Sequence, residues 1–459
     1  MVRNLQIRRG GRRGRRADPE APELFCRLPF TEVSVSEDGS VYPNCCPDWV
    51  DFPMGNLFKQ SWDEVWNGKR AQKLRESMLD GSLRYCDQHW CPHIQSARQG
   101  HPDPHVVPRS EVDSLPLPAA AQRGEVVMVE GPTNVSMNYD SSCNLACPTC
   151  RPEIRQVRGA AADRMAMLHR VVEDELLVGA HTVSMTGTGD PFASKFLREF
   201  LSTFSDETHP GIKRVYLYTN AIMWTPAMWE RLPGLHTVDL AADISIDAAT
   251  AATYENVRRP ARWDQLQENL AFIAAIPNLR ELGVNMTISR PNVREVRAFY
   301  DLASELADRR NGARTFVEFK RVRRWGSHTD EQWAEHDLAG LSPEELGDLQ
   351  RQLAEIEGLR RSPGARTRTS TCAPTWGTSS SSTPDGAPGR PRPASEDLVG
   401  GDDDGQRVRA ELLHDRHVDA DVAVADRDLA PAPRDEGSGG VEVLVDGDVV
   451  AAGEDDRLG

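Results

Sequence analysis

The chain carries Cys143-Asn-Leu-Ala-Cys147-Pro-Thr-Cys150, three thiols at C-x3-C-x2-C spacing, just beyond a run from Asn134 to Tyr139 that suits a strand. Three thiolates in one tight loop can hold three irons of a four-iron four-sulfur cluster and leave the fourth iron without a protein ligand. An open iron can bind a small molecule. Zinc competes, because soft thiolates suit it and C-x2-C is a common half-site. A structural zinc site wants a fourth local ligand, however, and none of Asp140, Arg151 or Glu153 is a convincing one. Buried cysteines without a ligand are the bland alternative, and three within so short a loop argue against it.

Outward from this loop the pattern alternates strand and helix six times. The apolar, β-branched or aromatic runs are Asn134 to Tyr139, Thr182 to Gly187, Arg214 to Thr219, Thr237 to Ile246, Leu282 to Ile288 and Thr315 to Val322. Helix-suited stretches follow them, among them Ser194 to Phe204, Trp263 to Ile276 and Val293 to Ala307. Repeated βα units with runs buried on both faces predict a parallel sheet. Six units predict an α/β fold, a partial (βα)6 TIM-like barrel whose working face is the carboxyl ends of the strands. A last helix, Ser342 to Leu359, has a capping box from Ser342 and Glu345, Pro343 at its first turn, and a stripe of Leu346, Leu349, Leu353 and Ile356. Ordered structure is expected to end near Arg360.

The 459 residues are enough for two or three domains, and the net charge of −16 with 39% hydrophobic residues reads as a soluble chain. No run approaches a membrane span. The arginine-rich start, Met1 to Arg16, is followed by no apolar segment, so a secretory signal is not expected and the cytoplasm is the default compartment. Nine cysteines, an odd number, argue against a disulfide framework and for metal or redox chemistry. Residues 1–22 read as a flexible basic tail, 23–97 as a small cysteine-rich module, 98–133 as a linker with six prolines, and 134–360 as the barrel with its terminal helix. Residues 361–459 hold twenty acidic against eleven basic side chains, contain no Lys, Ile, Phe, Tyr, Met or Asn, and read as disordered or as the product of a shifted reading frame. Within them Val441 to Val450 alternates weakly like a strand, with nothing nearby expected to cover an apolar face.

The cysteine loop and the six units resemble the radical SAM superfamily over about Asn134 to Arg324. The resemblance implies an open [4Fe-4S] cluster on Cys143, Cys147 and Cys150 that binds S-adenosyl-L-methionine and cleaves it reductively to a 5'-deoxyadenosyl radical, with protein groups positioning the cofactor. Gly187-Thr-Gly189-Asp190-Pro191 resembles the family's glycine-glycine-glutamate motif, which meets the methionyl ammonium; Asp190 stands for the usual glutamate, and glycine permits close approach. Thr219-Asn220 resembles the threonine-asparagine-glycine turn. Ser245 and Arg258, after the fourth strand, carry over as contacts to the cofactor's ribose and carboxylate, and Asn285 on the fifth strand is a weaker candidate. Read without the family, the glycine segment is an ordinary βα turn, Arg258 a solvated helix charge and Asn285 a turn cap. Thr149 stands where the family often places an aromatic, which puts adenine stacking there in doubt.

Five further cysteines precede the barrel: Cys26, Cys45, Cys46, Cys86 and Cys91. Four ligands from a loop pair and a C-x4-C hairpin suffice for a closed cluster or a tetrahedral zinc. The order of features, a cysteine, Asp38-Gly39, a cysteine pair, Gly55-Asn56-Leu57, a helix-like Trp62 to Met78 stretch and Cys86-Asp-Gln-His-Trp-Cys91, resembles the SPASM or twitch extension of radical SAM enzymes. That extension usually follows the barrel; here it comes first. It implies an auxiliary [4Fe-4S] cluster on Cys26, Cys86, Cys91 and one of Cys45 or Cys46. His89 and His93 could replace a cysteine, although a polar surface role is the plainer reading for each. Cys372 has no assigned role.

The implied activity is hydrogen abstraction from a substrate carbon, the auxiliary cluster assisting oxidation or substrate binding. Peptide and small-molecule substrates both fit, with reduced flavodoxin or ferredoxin as electron donor. The alternative is a zinc-stabilised module using its arginine arm on nucleic acid, which the acidic body opposes. A fragment that keeps its clusters without activity is a third reading.

Overall fold

The computed structural model describes residues 23–44, 46–310, 313–324, 328–360 and 441–445. In chain order its strands are β1 (Leu24–Cys26), β2 (Glu32–Ser36), β3 (Ser40–Tyr42), β4 (Gly55–Asn56), β5 (Val106–Pro108), β6 (Asn134–Asn138), β7 (Thr182–Met185), β8 (Arg214–Thr219), β9 (Asp239–Ser245), β10 (Leu279–Ile288), β11 (Arg314–Arg321) and β12 (Val441–Val445). Strands β6 to β11 fall on the six expected runs and pair in sequence order, each parallel to the next. The molecule is a mixed α/β protein built on a parallel sheet.

Register explains how the sheet acquires two unlike faces. Val33, Val135, Val183, Val215 and Leu240 lie side by side across β2, β6, β7, β8 and β9, and all are fully buried. Each such side chain contributes about 1.5–3 kcal/mol by leaving water. Helices Lys195–Thr203, Trp263–Ala274 and Val296–Arg309 bring their own buried stripes into the same core. One residue further along, the other face carries Ser34, Ser136, Ser184 and Tyr216 in register. It continues as Asp243, Ser245, Asn285, Glu318 and Lys320 towards the carboxyl ends. A buried, polar sheet face is not a packing surface for helices. It marks a place where polar groups meet one another or a ligand.

The helix expected over Trp62 to Met78 is broken into Trp62–Trp66 and Lys69–Leu79. A Cβ on Gly68 would stand 2.1 Å from the Glu64 carbonyl oxygen, so the chain turns there with a glycine in the gap. Ser342 and Glu345 form the expected capping box: the Ser342 amide donates to the Glu345 carboxylate (3.0 Å) and the Glu345 amide to the Ser342 hydroxyl (3.2 Å).

Three amino-terminal strands, β2, β3 and β4, belong to the same sheet. β2 runs parallel to β6 from Glu32↔Asn134 to Ser36↔Asn138, and β3 and β4 extend that edge antiparallel. The proline-bearing segment 98–133 is likewise built in. Its strand β5 pairs with β1, and the Val126, Met128 and Glu130 carbonyls accept hydrogen bonds from Arg75, Asn67 and Trp66. At the opposite edge Val441–Val445, within the segment whose alternation suggests a strand, forms β12 and pairs parallel to β11. The other residues of 361–459, with Cys372, and the basic segment 1–22 lie outside the described residues. No helix among the described residues is long and apolar enough to cross a membrane.

Candidate functional site

The cysteine loop leaves β6 and is fastened from several sides. The Cys143 amide donates to the Arg155 carbonyl (2.8 Å) and the Ala146 amide to the Arg259 carbonyl (2.7 Å). The Cys150 and Arg151 amides both donate to the Cys147 carbonyl (2.8 and 2.9 Å), closing the last turn. Asp140 accepts the Ser142 amide at 2.8 Å and the Ser194 hydroxyl at 2.6 Å, tying the loop to the start of a helix that follows β7. The thiols of Cys143 and Cys147 are buried and that of Cys150 half-buried.

Each thiol meets one N–H group. Asn220 Nδ2 stands 3.9 Å from Cys143 Sγ, Arg258 Nη1 3.8 Å from Cys147 Sγ and Arg151 Nε 3.4 Å from Cys150 Sγ. Burial pushes the Cys147 thiol up to about 12 against the pull of the Arg258 guanidinium, and burial likewise raises Cys143. Metal-free, these groups hold protons that a thiolate-bound metal displaces. Among the described residues no three His, Cys, Asp or Glu side chains converge as the ligands of a single ion do. A cubane presents its irons at separate corners, so neighbouring thiols that each carry an N–H donor suit it. The donor set fits a [4Fe-4S] cluster on Cys143, Cys147 and Cys150.

The glycine motif is pressed against this loop. A Cβ on Gly189 would lie 2.5 Å from the Ser142 carbonyl oxygen and 2.6 Å from that of Asp140. Thr186, in the left-handed region at φ +42°, accepts the Thr188 and Gly189 amides at 3.0 and 2.7 Å, while the Gly187 amide donates to Asn138 Oδ1 at 3.3 Å. Asp190 is fully buried. Its Oδ1 accepts the Phe192 amide (3.0 Å), and its Oδ2 accepts the Thr219 hydroxyl (2.8 Å) and the Asn220 amide (2.9 Å). Its own amide donates to the Ser142 carbonyl at 2.9 Å. Asp190 therefore joins the cysteine loop to the end of β8, both oxygens already engaged within the protein. Burial raises its pKa while those donors lower it.

Ser245 and Asn285 are register neighbours on the polar sheet face. Asn285 Nδ2 donates to Asp243 Oδ1 at 3.0 Å, and Ser245 is half-buried at the strand end. Arg258 is no solvated helix charge: its side chain is 12% exposed, and Nη2 pairs with Asp247 Oδ2 at 2.6 Å. Burial works against its charge, but Asp247 and Cys147 more than offset that and raise its pKa. Thr149 is buried, and the neighbouring Pro148 carbonyl meets His328 Nε2 at 2.7 Å.

Sequence reasoning missed three residues here. The sequence offers Arg151 only as an unconvincing metal ligand, yet Nη1 donates to the Ser141 carbonyl (2.8 Å) and Nη2 to that of Thr188 (2.7 Å), stapling two loops. Asp247 and His328 carried no assigned role. The one available signal was a cation directly following the last cysteine.

In the amino-terminal module Cys26, Cys86 and Cys91 are electrostatic neighbours; burial raises Cys26 and Cys86, and the adjoining thiols add to it. Cys86 forms a bridge with Val50, whose amide donates to the Cys46 carbonyl at 3.2 Å, so the Cys46 loop and the C-x4-C hairpin are joined. Cys46 is buried; Cys45 lies outside the described residues. His89 is exposed, but the surface role expected for His93 is corrected. His93 is 5% exposed, holds Asp103 Oδ2 at 2.9 Å through Nδ1 and meets the His105 ring edge-on at 4.7 Å. His105 Nδ1 stands 3.4 Å from Glu32 Oε1, and Glu32 Oε2 accepts Nδ2 of Asn44 (3.1 Å) and Asn134 (3.0 Å). A buried polar chain thus leads from the cysteine module to the polar face of β6.

Residues 26–92 match the SPASM family, an iron-sulfur cluster-binding domain. With that match and its sequence relatives, the chain is a radical SAM protein with an amino-terminal SPASM module. Among those relatives, a GTP 3',8-cyclase from a Synechococcus strain is 33% identical over 118 residues, covering 25% of this chain and 33% of that protein. An AdoMet-dependent heme synthase from Methanosarcina barkeri is 26% identical over 186 residues, covering 39% of this chain and 50% of that protein. The chain therefore spans a third to a half of the length of these curated relatives. Among solved structures, Streptococcus suis SuiB bound to S-adenosylmethionine overlaps at 15% identity and a TM-score of 0.36, over 55% of this chain and 56% of that one.

Proposed function

We propose that the chain is a radical SAM enzyme in which Cys143, Cys147 and Cys150 hold the cluster and the polar sheet face receives the substrate. When bound, the cluster supplies the electron that cleaves S-adenosylmethionine to the 5'-deoxyadenosyl radical, which abstracts hydrogen from a substrate carbon. The observation that carries this reading is the thiol trio beyond β6, one N–H donor per sulfur, with Gly189 packed on its backbone.

In this reading the parallel strands form a partial barrel, with Ser245 and Asn285 lining its mouth beside the cofactor. The Gly187 to Gly189 backbone approaches the methionyl end. Asp190 acts as an organiser of that backbone, because its oxygens are already taken. On the same face Asp243 lies one step below Ser245 and Asn285, Glu318 level with them and Lys320 one step nearer the carboxyl ends, offering charged groups beside the neutral ones; Lys320 Nζ stands 2.9 Å from Glu318 Oε2. Such a lining suits a polar guest, a small hydroxylated or amine-bearing molecule or a polar peptide segment, better than a lipid. Cys26, Cys86, Cys91 and Cys45 or Cys46 would hold an auxiliary cluster that accepts an electron or binds substrate. Reduced flavodoxin or ferredoxin would serve as donor, in the cytoplasm.

The test is formation of 5'-deoxyadenosine by anaerobically reconstituted protein with dithionite and S-adenosylmethionine. Cys147→Ala is expected to abolish it while the amino-terminal iron stays; undiminished cleavage would refute the site.

A further inference from the structure

Arg258, 111 residues along the chain from Cys147, reaches the cysteine loop, and its direction is set by a carboxylate. Nη2 lies 2.6 Å from Asp247 Oδ2, and Nη1 is left 3.8 Å from Cys147 Sγ. Asp247 is itself locked. Its backbone sits in the left-handed region at φ +62°, a conformation a non-glycine residue keeps only where its surroundings hold it. Oδ1 accepts the Thr287 amide at 2.7 Å, and its carbonyl accepts Asn292 Nδ2 at 2.8 Å. The side chain of Asp247 is 5% exposed, so little water screens the pair.

We propose that Arg258, oriented by Asp247, is a positioning residue that sets the reduction potential of the cluster held by Cys143, Cys147 and Cys150. The inference rests on the reading above that this loop holds a cluster. Reduction adds one electron whose charge spreads onto the thiolate sulfurs. An N–H aimed at a sulfur favours that state and makes the potential less negative. The other two donors are less free to act as tuners: Arg151 also fastens the Ser141 and Thr188 carbonyls, and Asn220 also donates to Asn144 Oδ1 at 2.9 Å. The Arg258 guanidinium carries a full charge and meets the Asp247 carboxylate through Nη2 and the Cys147 sulfur through Nη1. Asp247 acts with the opposite sign, since its charge opposes reduction.

Two substitutions therefore move the potential in opposite directions, which loosening of the loop would not do. The experiment is an EPR-monitored redox titration of the full chain, reconstituted anaerobically, at fixed pH and without S-adenosylmethionine. The loop's signal is identified by its loss in Cys147→Ala. Arg258→Gln is expected to shift the reduction equilibrium of that signal about tenfold towards the oxidised form, about 59 mV for one electron. Asp247→Asn is expected to shift it towards the reduced form, and Arg258→Lys to recover part of the first change. The auxiliary cluster's midpoint should stay in place throughout. An unmoved loop midpoint in both variants, or shifts of the same sign with falling iron content, would overturn the inference while leaving the cluster assignment standing. If no signal depends on Cys147, the cluster reading and this inference fail together. Should Arg258→Gln lose iron on reconstitution, Asp247→Asn and Arg258→Lys still decide the sign.

Discussion

Gly189 has no room for a methyl group, because two carbonyl oxygens of the cysteine loop lie where its Cβ would be. Gly189→Ala is expected to force the glycine motif off that loop at a cost of about 1–3 kcal/mol. Iron per chain after reconstitution, together with the thermal midpoint, checks this; wild-type values for both would show that the loops can part freely. Arg75 presents a different residue-scale case. It is fully buried with its guanidinium 4.2 Å over the Trp66 ring, and it donates to the Pro29 and Val126 carbonyls at 2.9 Å each. Burial alone pulls its pKa down to about 9, so its charge is held at a cost. Arg75→Met keeps the stem and removes the donors. It should destabilise the chain by about 1–3 kcal/mol, read as a lower urea midpoint with an unchanged slope.

At the scale of elements, the pairing of β2 with β6 is stabilised by Glu32, whose carboxylate faces His105, Asn44, Asn134 and, at 3.2 Å, Arg27. Burial by itself would raise this carboxyl, but His105 above all, with Arg27 and Asn44, outweighs it and holds the pKa down to about 2 from an ordinary 4.5. A carboxyl depressed in the folded state stabilises fully above its unfolded pKa and loses that contribution as pH falls through the folded one. Stability should therefore drop between about pH 4.5 and pH 2. Glu32→Gln should flatten that part of the profile, measured as denaturant midpoint against pH. A variant as steep as wild type in that window would show that other carboxylates carry the effect.

For the whole molecule, the shared sheet makes the amino-terminal module part of the parallel strands' own support. Residues 134–360 expressed alone are expected to aggregate, because β6 would become an open edge and the polar groups of Asn134 would lose Glu32. A monomeric, cooperatively melting fragment would contradict this. Cys86→Ala should lower iron content by roughly one four-iron cluster while leaving uncoupled cleavage of S-adenosylmethionine intact. Unchanged iron would remove the auxiliary cluster from the proposal.

The sequence by itself determined what depends on neighbours along the chain. Cys143, Cys147 and Cys150 declare their chemistry within eight residues, and the six βα runs declare a parallel sheet through their own apolar pattern. Capping by Ser342 and Glu345 is legible for the same reason, since both partners lie within one helical turn. Only the tertiary structure decided what stands around those thiols. Asn220 meets Cys143 across 77 residues and Arg258 meets Cys147 across 111. The motif of Asp190 is legible locally, but the partners of its Oδ2 come from the end of β8, Thr219 and, thirty residues on, Asn220. Likewise nothing in Glu32 to Ser36 announces that the strand pairs with one starting at Asn134. Local spacing fixes which groups can bind a metal. Which charges and donors surround them follows from long-range packing, where burial and register select among many polar residues of similar local pattern.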